Sequence, residues 1–322
     1  MDNNTIRQFK NLAIKELQGT SPSPALDVEV LLSHALKYDK TQLLLFAENH
    51  IPDDKLVWLN EAISLRKTGL PVAYITGVKE FYGYDFFVTP DVLIPKPDTE
   101  VLVERAIEMI MNALDGECVT VGSGAAARSL KILDMCTGSG CIGIAVMKTL
   151  YALEKVPVEK LPLMTLVDIS EPALAIAKKN AAALLPDGEI LQKITFIQSD
   201  LFEKVEGQFD FILTNPPYIP SKMVDELLKD GRNEPRLALD GDLGVPEPVE
   251  GPQDGTHLIK ILLQQPCKHL AQNGTILMET GEYNAQATAD FAQKAGFATE
   301  IHRDLEGQLR VVEMRLSGQA RQ

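Results

Sequence analysis
The feature that most restricts this chain lies between residues 130 and 143. There the apolar run Leu130–Met135 gives way to Gly138, Gly140 and Gly143 and then to a helical pattern. A short apolar run bounded by turn signals reads as a buried strand, and glycines at G-x-G-x-x-G spacing make a turn whose backbone can approach a ligand closely. The alternation continues downstream. The pattern predicts helices at 141–153 and 171–185 and strands at 163–169, 194–200 and 209–215. Beyond them it predicts a helix around 256–271, a strand at 275–280, a helix at 284–295, and strands near 298–303 and 309–316. Apolar strands alternating with helices predict an α/β fold with a mostly parallel sheet covered on both faces.

Upstream the texture differs. Ile6, Phe9, Leu12, Ala13 and Leu17, and then Val28, Leu31, Leu32 and Ala35, recur at helical steps, with SPSP at 21–24 and IPDD at 51–54 as punctuation. Asp53 or Asp54 is placed to cap the following helix. From Ala73 to Pro95, Tyr74, Ile75, Phe81, Tyr82, Phe86, Phe87 and Val88 are strand formers around Gly77 and Gly83, a hairpin signal. Pro95 and Pro97 close it, and a helix begins near Thr99. The small-residue run 116–129 reads as a surface loop. Residues 230–255 hold five Gly, four Pro and seven acidic residues, a stretch long enough to be a lid, a partner contact or a surface insertion.

Lys and Arg number 31 against 45 Asp and Glu, a formal net charge of −14, which opposes bulk attraction to phosphate backbones or anionic membranes. The first 70 residues are nearly neutral, so most of that charge lies downstream. No apolar run is long enough to span a bilayer, and the N-terminus has no leader pattern, which predicts a cytoplasmic protein. The four cysteines form no C-x-x-C pair and the five histidines are scattered, so no metal centre is expected.

The glycine turn suits an adenosine-containing ligand. Asp168 ends the next strand, where a carboxylate can bond a ribose diol, and NAD fits this as well as other nucleosides. Asp134 precedes the turn and Asp200 ends the third strand. Acidic residues on three successive strands favour a cationic nucleoside, S-adenosylmethionine, over a pyrophosphate that they would repel. Asp134 is expected near its ammonium and sulfonium-bearing chain, Asp168 on the ribose and Asp200 near the adenine amine.

The fourth strand ends in Asn215-Pro216-Pro217-Tyr218, at the sheet edge where open α/β folds bind ligands. Consecutive prolines hold Asn215 and Pro216 extended and leave carbonyls without helix or sheet partners. Such a loop suits a planar –NH2 conjugated to a carbonyl or ring: Asn215 Oδ1 and a proline carbonyl accept its protons while Tyr218 packs against its plane. That nitrogen is a poor nucleophile, and positioning and polarisation address this weakness.

Asn215 to Tyr218 after a fourth strand resembles the amino-methyltransferases of glutamine side chains and exocyclic base amines. Three further segments narrow the likeness: Pro95-Lys96-Pro97-Asp98-Thr99-Glu100, Thr76-Gly77-Val78-Lys79-Glu80-Phe81, and Glu234-Pro235 before Ala238-Leu239. Together they resemble the HemK/PrmC group, protein-(glutamine-N5) methyltransferases of the Gly-Gly-Gln motif in class I peptide chain release factors. The likeness runs from about Pro71 to Leu316 and is strongest at 93–104, 132–145 and 213–219.

That resemblance implies a class I, Rossmann-like S-adenosylmethionine-dependent methyltransferase domain at 97–322, with a seven-stranded sheet whose last strand is antiparallel. A helical substrate-docking domain at 1–72 and a β-hairpin linker at 73–96 precede it. The implied cofactor residues are Cys136, Thr137, Gly138, Ser139, Gly140, Asp168, Asp200, Leu201 and Asn215. Asn215, Pro216, Pro217 and Tyr218 hold the substrate glutamine, with Thr99 and Glu100 approaching the cofactor. The partner is a class I release factor, with no membrane and no stable nucleic-acid binding, and S-adenosylhomocysteine is the coproduct. Two positions depart from the family: Cys136 stands where Gly is usual, and Leu201, followed by Phe202, stands where an aromatic often follows the adenine-side acid. The rival acceptors are a ribosomal-protein glutamine and an N6-adenine-type base. An NAD-dependent dehydrogenase explains the glycines and Asp168 but gives Asn215–Tyr218 and Asp200 no task.

Overall fold
The computed structural model describes residues 5–119, 129–153, 156–185, 188–244, 254–265 and 268–316, with the backbone alone for 116–119. The chain divides into two compact units, Met1–Val78 with Asp225–Asn233, and Lys79–Val224 with Glu234–Gln322.

The first unit is helical: α1 (Ile6–Leu17), α2 (Pro24–Leu36), α3 (Lys40–Leu45), α4 (Asp53–Lys67) and α5 (Val72–Thr76). Its core holds the expected periodic residues Ile6, Phe9, Ala13, Leu17, Val28, Leu31, Leu32 and Ala35, joined by Leu59 and Ile63, whereas Leu12 is exposed. Capping boxes start α1 at Thr5–Gln8 and α3 at Asp39–Gln42, satisfying end N–H groups that would otherwise be orphaned. Asp53 and Asp54 do not cap α4. Pro52 takes that place and both carboxylates fall in the first turn, where the helix dipole favours them. Tyr74 and Ile75, expected in a strand, lie in α5, because Pro71 presets the entry and Gly77 at φ +71° ends the turn. The distant segment Asp225–Asn233 joins this unit through glycines: a Cβ on Gly69 would stand 1.8 Å from Asp230 O, and one on Gly231 2.0 Å from Thr68 O.

The second unit opens with the hairpin β1 (Val78–Phe81) and β2 (Tyr84–Phe87). Tyr82 and Gly83 both have positive φ, the handedness that suits a two-residue hairpin turn. There follow α6 (Glu100–Val119), β3 (Lys131–Met135), α7 (Cys141–Ala152), β4 (Leu163–Asp168), α8 (Glu171–Leu184), α9 (Gly188–Leu191), β5 (Ile194–Gln198) and β6 (Phe209–Thr214). The chain continues through α10 (Ser221–Leu227), α11 (His257–Gln264), β7 (Leu270–Glu279), α12 (Ala285–Lys294), β8 (Phe297–Arg303) and β9 (Leu309–Leu316). Most of the 116–129 stretch expected as a loop lies outside the described residues, and α6 runs on to Val119.

The sheet order is β5-β4-β3-β6-β7-β9-β8. It is parallel from β5 to β7, and β9 runs antiparallel to both neighbours, as the family resemblance implies. Side chains alternate strictly: Ile132, Leu166, Phe211, Leu213 and Leu277 pack on one face with α6, α7 and α8, while Leu133, Val167, Ile212, Ile276 and Met278 pack on the other with α11 and α12. Burial on both faces is why these strands read as continuous apolar runs. The helix expected to 271 ends at Gln264, before Pro266, and β7 begins at Leu270, five residues earlier than expected. A proline has no N–H with which to continue the helix. Asn273 at φ +66° and the register shift between the β6–β7 pairings Phe209↔Leu270 and Phe211↔Thr275 form an irregularity that reads as a turn in sequence.

One buried polar residue ties three parts of this unit together. Asn180 of α8 accepts from Phe87 N at 2.7 Å and donates to Phe87 O at 3.0 Å and to Ser139 O at 2.9 Å, joining the hairpin and the glycine turn. Asn180→Ala removes three hydrogen bonds and strands buried backbone groups, and should cost about 2–3 kcal/mol. Urea unfolding of the full chain measures this as a lowered midpoint at unchanged slope.

Candidate active site
At the carboxyl ends of β3 to β6 lies a cavity of ≈ 540 Å³. Cys136, Thr137, Gly138 and Ser139 face it from the turn after β3, and Asp168 from the end of β4. Asp200 and Leu201 face it from beyond β5, and Asn215 and Pro217 from beyond β6. Residues from four separate segments of sequence thus converge on one space. Gly140, Pro216 and Tyr218 do not line it. Gly140 is the N-cap of α7 at φ +81°, and a Cβ there would stand 2.6 Å from Ile144 Cδ1, so it serves close packing.

The glycine turn is stapled from within. Asp134 is fully buried, and its Oδ2 accepts from Thr137 Oγ1 at 2.6 Å and from Gly143 N at 3.0 Å. It therefore does not meet a ligand's ammonium or sulfonium group as the sequence suggested: both its donors are internal and it lies outside the cavity lining. Burial pushes its pKa up to about 7, against the pull of those two donors, and no described residue bonds its Oδ1. Gly143 has no room for a side chain, since a Cβ would stand 3.0 Å from Asp134 Oδ2.

Asp168 behaves differently. Its Oδ2 accepts from Gly138 N at 2.8 Å and its Oδ1 from Ser170 N at 2.9 Å, yet it stays half-exposed on the cavity wall. Burial raises its pKa and the backbone donors oppose this. A carboxylate has about four acceptor sites, so capacity remains for a ligand. Asp200 is exposed at the rim. Open carboxylates on two strand ends, and a Gly138 with nothing within 4 Å of a would-be Cβ, fit a cationic nucleoside. Both departures from the family pattern carry backbone strain: Cys136 has φ +60° and Leu201 φ +45°, the left-handed region, at about 1–2 kcal/mol each. Glycine at the first position would have no such cost.

The Asn215–Tyr218 loop is anchored from below and behind. Asn215 Nδ2 donates to Thr99 Oγ1 at 3.3 Å, and Tyr218 OH donates to Glu279 Oε1 at 3.3 Å. The Tyr218 carbonyl accepts from Tyr283 OH at 3.3 Å and Asn284 Nδ2 at 3.1 Å. Two glycines press on the same backbone. A Cβ on Gly241 would stand 2.8 Å from Tyr218 Cα, and one on Gly255 2.0 Å from Tyr218 O. Part of the long 230–255 stretch is thus structural, and Leu237, Ala238, Asp240, Leu243 and Gly244 wall the cavity. Its remainder, 245–253, lies outside the described residues, and with it the choice between lid, partner contact and surface insertion.

Sequence reasoning missed Glu279, Lys96 and the Pro90–Leu93 wall. Glu279 ends β7 as Asp168 ends β4, so the rule that singled out the strand-end acids also finds it. Lys96 lines the cavity and pairs with the buried Glu234 at 2.6 Å, which explains two motif segments that sequence alone left unconnected. Glu100 lies away from the cavity, accepting from Tyr82 N at 2.9 Å.

Comparison with known proteins identifies the family. The family model for the PrmC N-terminal domain matches residues 9–77, and that for the methyltransferase small domain matches residues 109–245. A release factor glutamine methyltransferase of Koribacter versatilis is 35% identical over 281 residues, 86% of this chain and 86% of its own length. That of Rhodopirellula baltica is 35% identical over 299 residues, 91% of this chain and 90% of its own. The chain belongs to the release factor glutamine methyltransferase family. Among solved structures, a release-factor-specific protein-(glutamine-N5) methyltransferase from Alicyclobacillus acidocaldarius is 23% identical with a TM-score of 0.36, covering 72% of this chain and 99% of that one. Among the described residues of this family member, no helix is long and apolar enough to cross a membrane.

Gly255→Ala tests the glycine clamp. At φ +76° and with Tyr218 O in its way, the methyl displaces the loop. The expected result is a lowered melting temperature together with a loss of turnover of at least about tenfold, at nearly unchanged S-adenosylmethionine affinity, measured by calorimetric titration.

Proposed function
We propose that this chain transfers one methyl group from S-adenosylmethionine to the side-chain amide nitrogen of the glutamine in the Gly-Gly-Gln motif of class I peptide chain release factors. The observation that carries this reading is the Asn215 carboxamide on the cavity wall. Its Nδ2 is engaged with Thr99, and no described residue donates to its Oδ1. That oxygen is free to accept a proton from a substrate amide beside the sulfonium-binding space. The membership of the family, and the names borne by its members, support the same acceptor.

S-adenosylmethionine, when bound, supplies a methyl group activated by the adjacent sulfonium. The chain's own residues supply position. Asp168 and Asp200 hold the nucleoside end, with Cys136 to Ser139 around the methionine end, Gly140 shaping the turn behind them and Leu201 on the adenine side. Asn215 Oδ1 and a proline carbonyl of the loop hold the two amide protons, which aims the nitrogen lone pair in line with the methyl–sulfur bond and draws electron density onto it. Pro217 walls the site, and Tyr218, pinned at its hydroxyl and its carbonyl, sets the loop's shape. No His or Cys belongs to this loop, so orientation rather than a titrating base carries the step: the N–C bond forms as the methyl–sulfur bond breaks, S-adenosylhomocysteine leaves, and one amide proton is lost to water. Residues 1–72 dock the protein substrate, 73–96 link, 97–322 catalyse, and the protein works in the cytoplasm.

Methyl transfer from labelled S-adenosylmethionine to an unmodified class I release factor tests this, beside a variant whose Gly-Gly-Gln glutamine is alanine. Label on the first and not on the second is expected. Label only on ribosomal protein or DNA overturns the acceptor. Asn215→Ala should lower kcat about a hundredfold or more with the cofactor Kd held within about twofold. Asp168→Ala should do the reverse, raising that Kd roughly tenfold or more through loss of a charge-assisted bond worth ~1.5–3 kcal/mol.

A further inference from the structure
One group beside the acceptor loop has no part in the chemistry above. Glu279, at the end of β7, is 1% exposed and does not line the cavity. Tyr218 OH donates to its Oε1. Its Oε2 receives no hydrogen bond among the described residues. Thr99, itself 2% exposed, stands beside the same carboxyl and already accepts from Asn215 Nδ2. A threonine hydroxyl has one proton to give. With Asn215 donating into Thr99, that proton is free to turn toward Glu279, whose charged form Thr99 favours.

We infer that Glu279 is a positioning residue of the acceptor site, which, through Thr99, holds the Asn215 carboxamide with Nδ2 inward and Oδ1 toward the substrate nitrogen. The inference rests on the reading of Asn215 as the residue that touches the acceptor. The two ends of a carboxamide have almost the same shape, so packing alone does not choose between them. An ionised carboxylate only accepts, and it therefore fixes the direction of every donor in the line behind it. Reversed, Asn215 would present N–H groups to the substrate's own N–H groups, and the nitrogen would lose both an anchor and its polarisation.

The charged and titratable groups around Glu279 come from several elements: Asp98 ahead of α6, Cys141 on α7, Tyr218 after β6 and Arg310 on β9. Arg310 is shared with Asp98 and Asp304, at 3.0 Å from each. Burial pushes Glu279 up to about 7; Thr99, Arg310 and Tyr218 pull it down, and Asp98 raises it. The charged, acceptor-only form therefore predominates above about pH 7. Below it the protonated carboxyl becomes a donor, the line of hydrogen bonds can reverse, and kcat falls.

The test uses the full-length enzyme with release factor and S-adenosylmethionine. Glu279→Gln keeps the shape but donates through Nε2. It should lower kcat about a hundredfold, leave cofactor Kd and the KM for release factor within about threefold, and abolish the acid limb of the kcat–pH profile near 7. Thr99→Val, without a hydroxyl, should lose kcat similarly, and Thr99→Ser should recover it to within about threefold of the wild type. The threonine pair keeps the test open should Glu279→Gln fold poorly. Wild-type kcat in Glu279→Gln, or a Thr99→Ser no better than Thr99→Val, with Asn215→Ala still inactive, overturns the relay alone. An Asn215→Ala enzyme of normal turnover overturns the site reading beneath it.

Discussion
Met135 and Thr214 lie opposite each other on the parallel neighbours β3 and β6, and the arrangement of the whole site follows from that pairing. β4 and β5 extend the sheet on one side of the pair and β7 on the other, so the strand order reverses between them. Chains leaving the two strand ends diverge, and a crevice opens at the carboxyl edge. The glycine turn at 136–140 and the loop at 215–218 are remote in sequence, and the register brings them to one cavity. The alternating apolar faces of the strands, each buried under helices, hold that register, because a slip of one residue would turn every side chain to the wrong face.

Acidic residues at strand ends are used in three ways around this crevice. Asp134 is buried within the turn it shapes, with donors only from its own segment. Asp168 accepts from two backbone N–H groups yet keeps a face to the cavity, suited to a ligand. Glu279 sits behind the acceptor loop, where it accepts from the Tyr218 hydroxyl and has Thr99 beside it. Residue type and position along a strand are alike in all three. Depth and the number of local donors set the difference, and neither quantity is encoded in one stretch of sequence.

Much of the fold was legible because its strands are buried on both faces and its helices carry long periodic faces. The errors have local causes. Tyr74 and Ile75 are strand formers by type, but Pro71 and Gly77 bound a segment too short for propensity to decide. Asn273 and Gly274 look like a turn in sequence and hide the first half of β7, whereas in the sheet they form an irregularity that neighbouring strands tolerate. Asp134 looks like a ligand group in sequence because it adjoins the glycines, and its inward orientation appears only once α7 packs on β3. Asn180 carries no local signal, and although Lys96 and Glu234 stand in motif segments, nothing in either segment shows that they pair, since each acts on a partner far away in the chain.

By itself the sequence determined the strand–glycine turn–helix order, the apolar faces, the identity of the acceptor-type loop and the acids available at the strand ends, because these depend on residue type and short spacing. Only the tertiary structure decided which of those acids face the cavity. It also decided how Asn215 is turned and why Gly241 and Gly255 can have no side chain. Those outcomes depend on contacts between segments tens of residues apart, where hydrogen-bond direction and sub-ångström clearance are set by packing rather than by any local pattern.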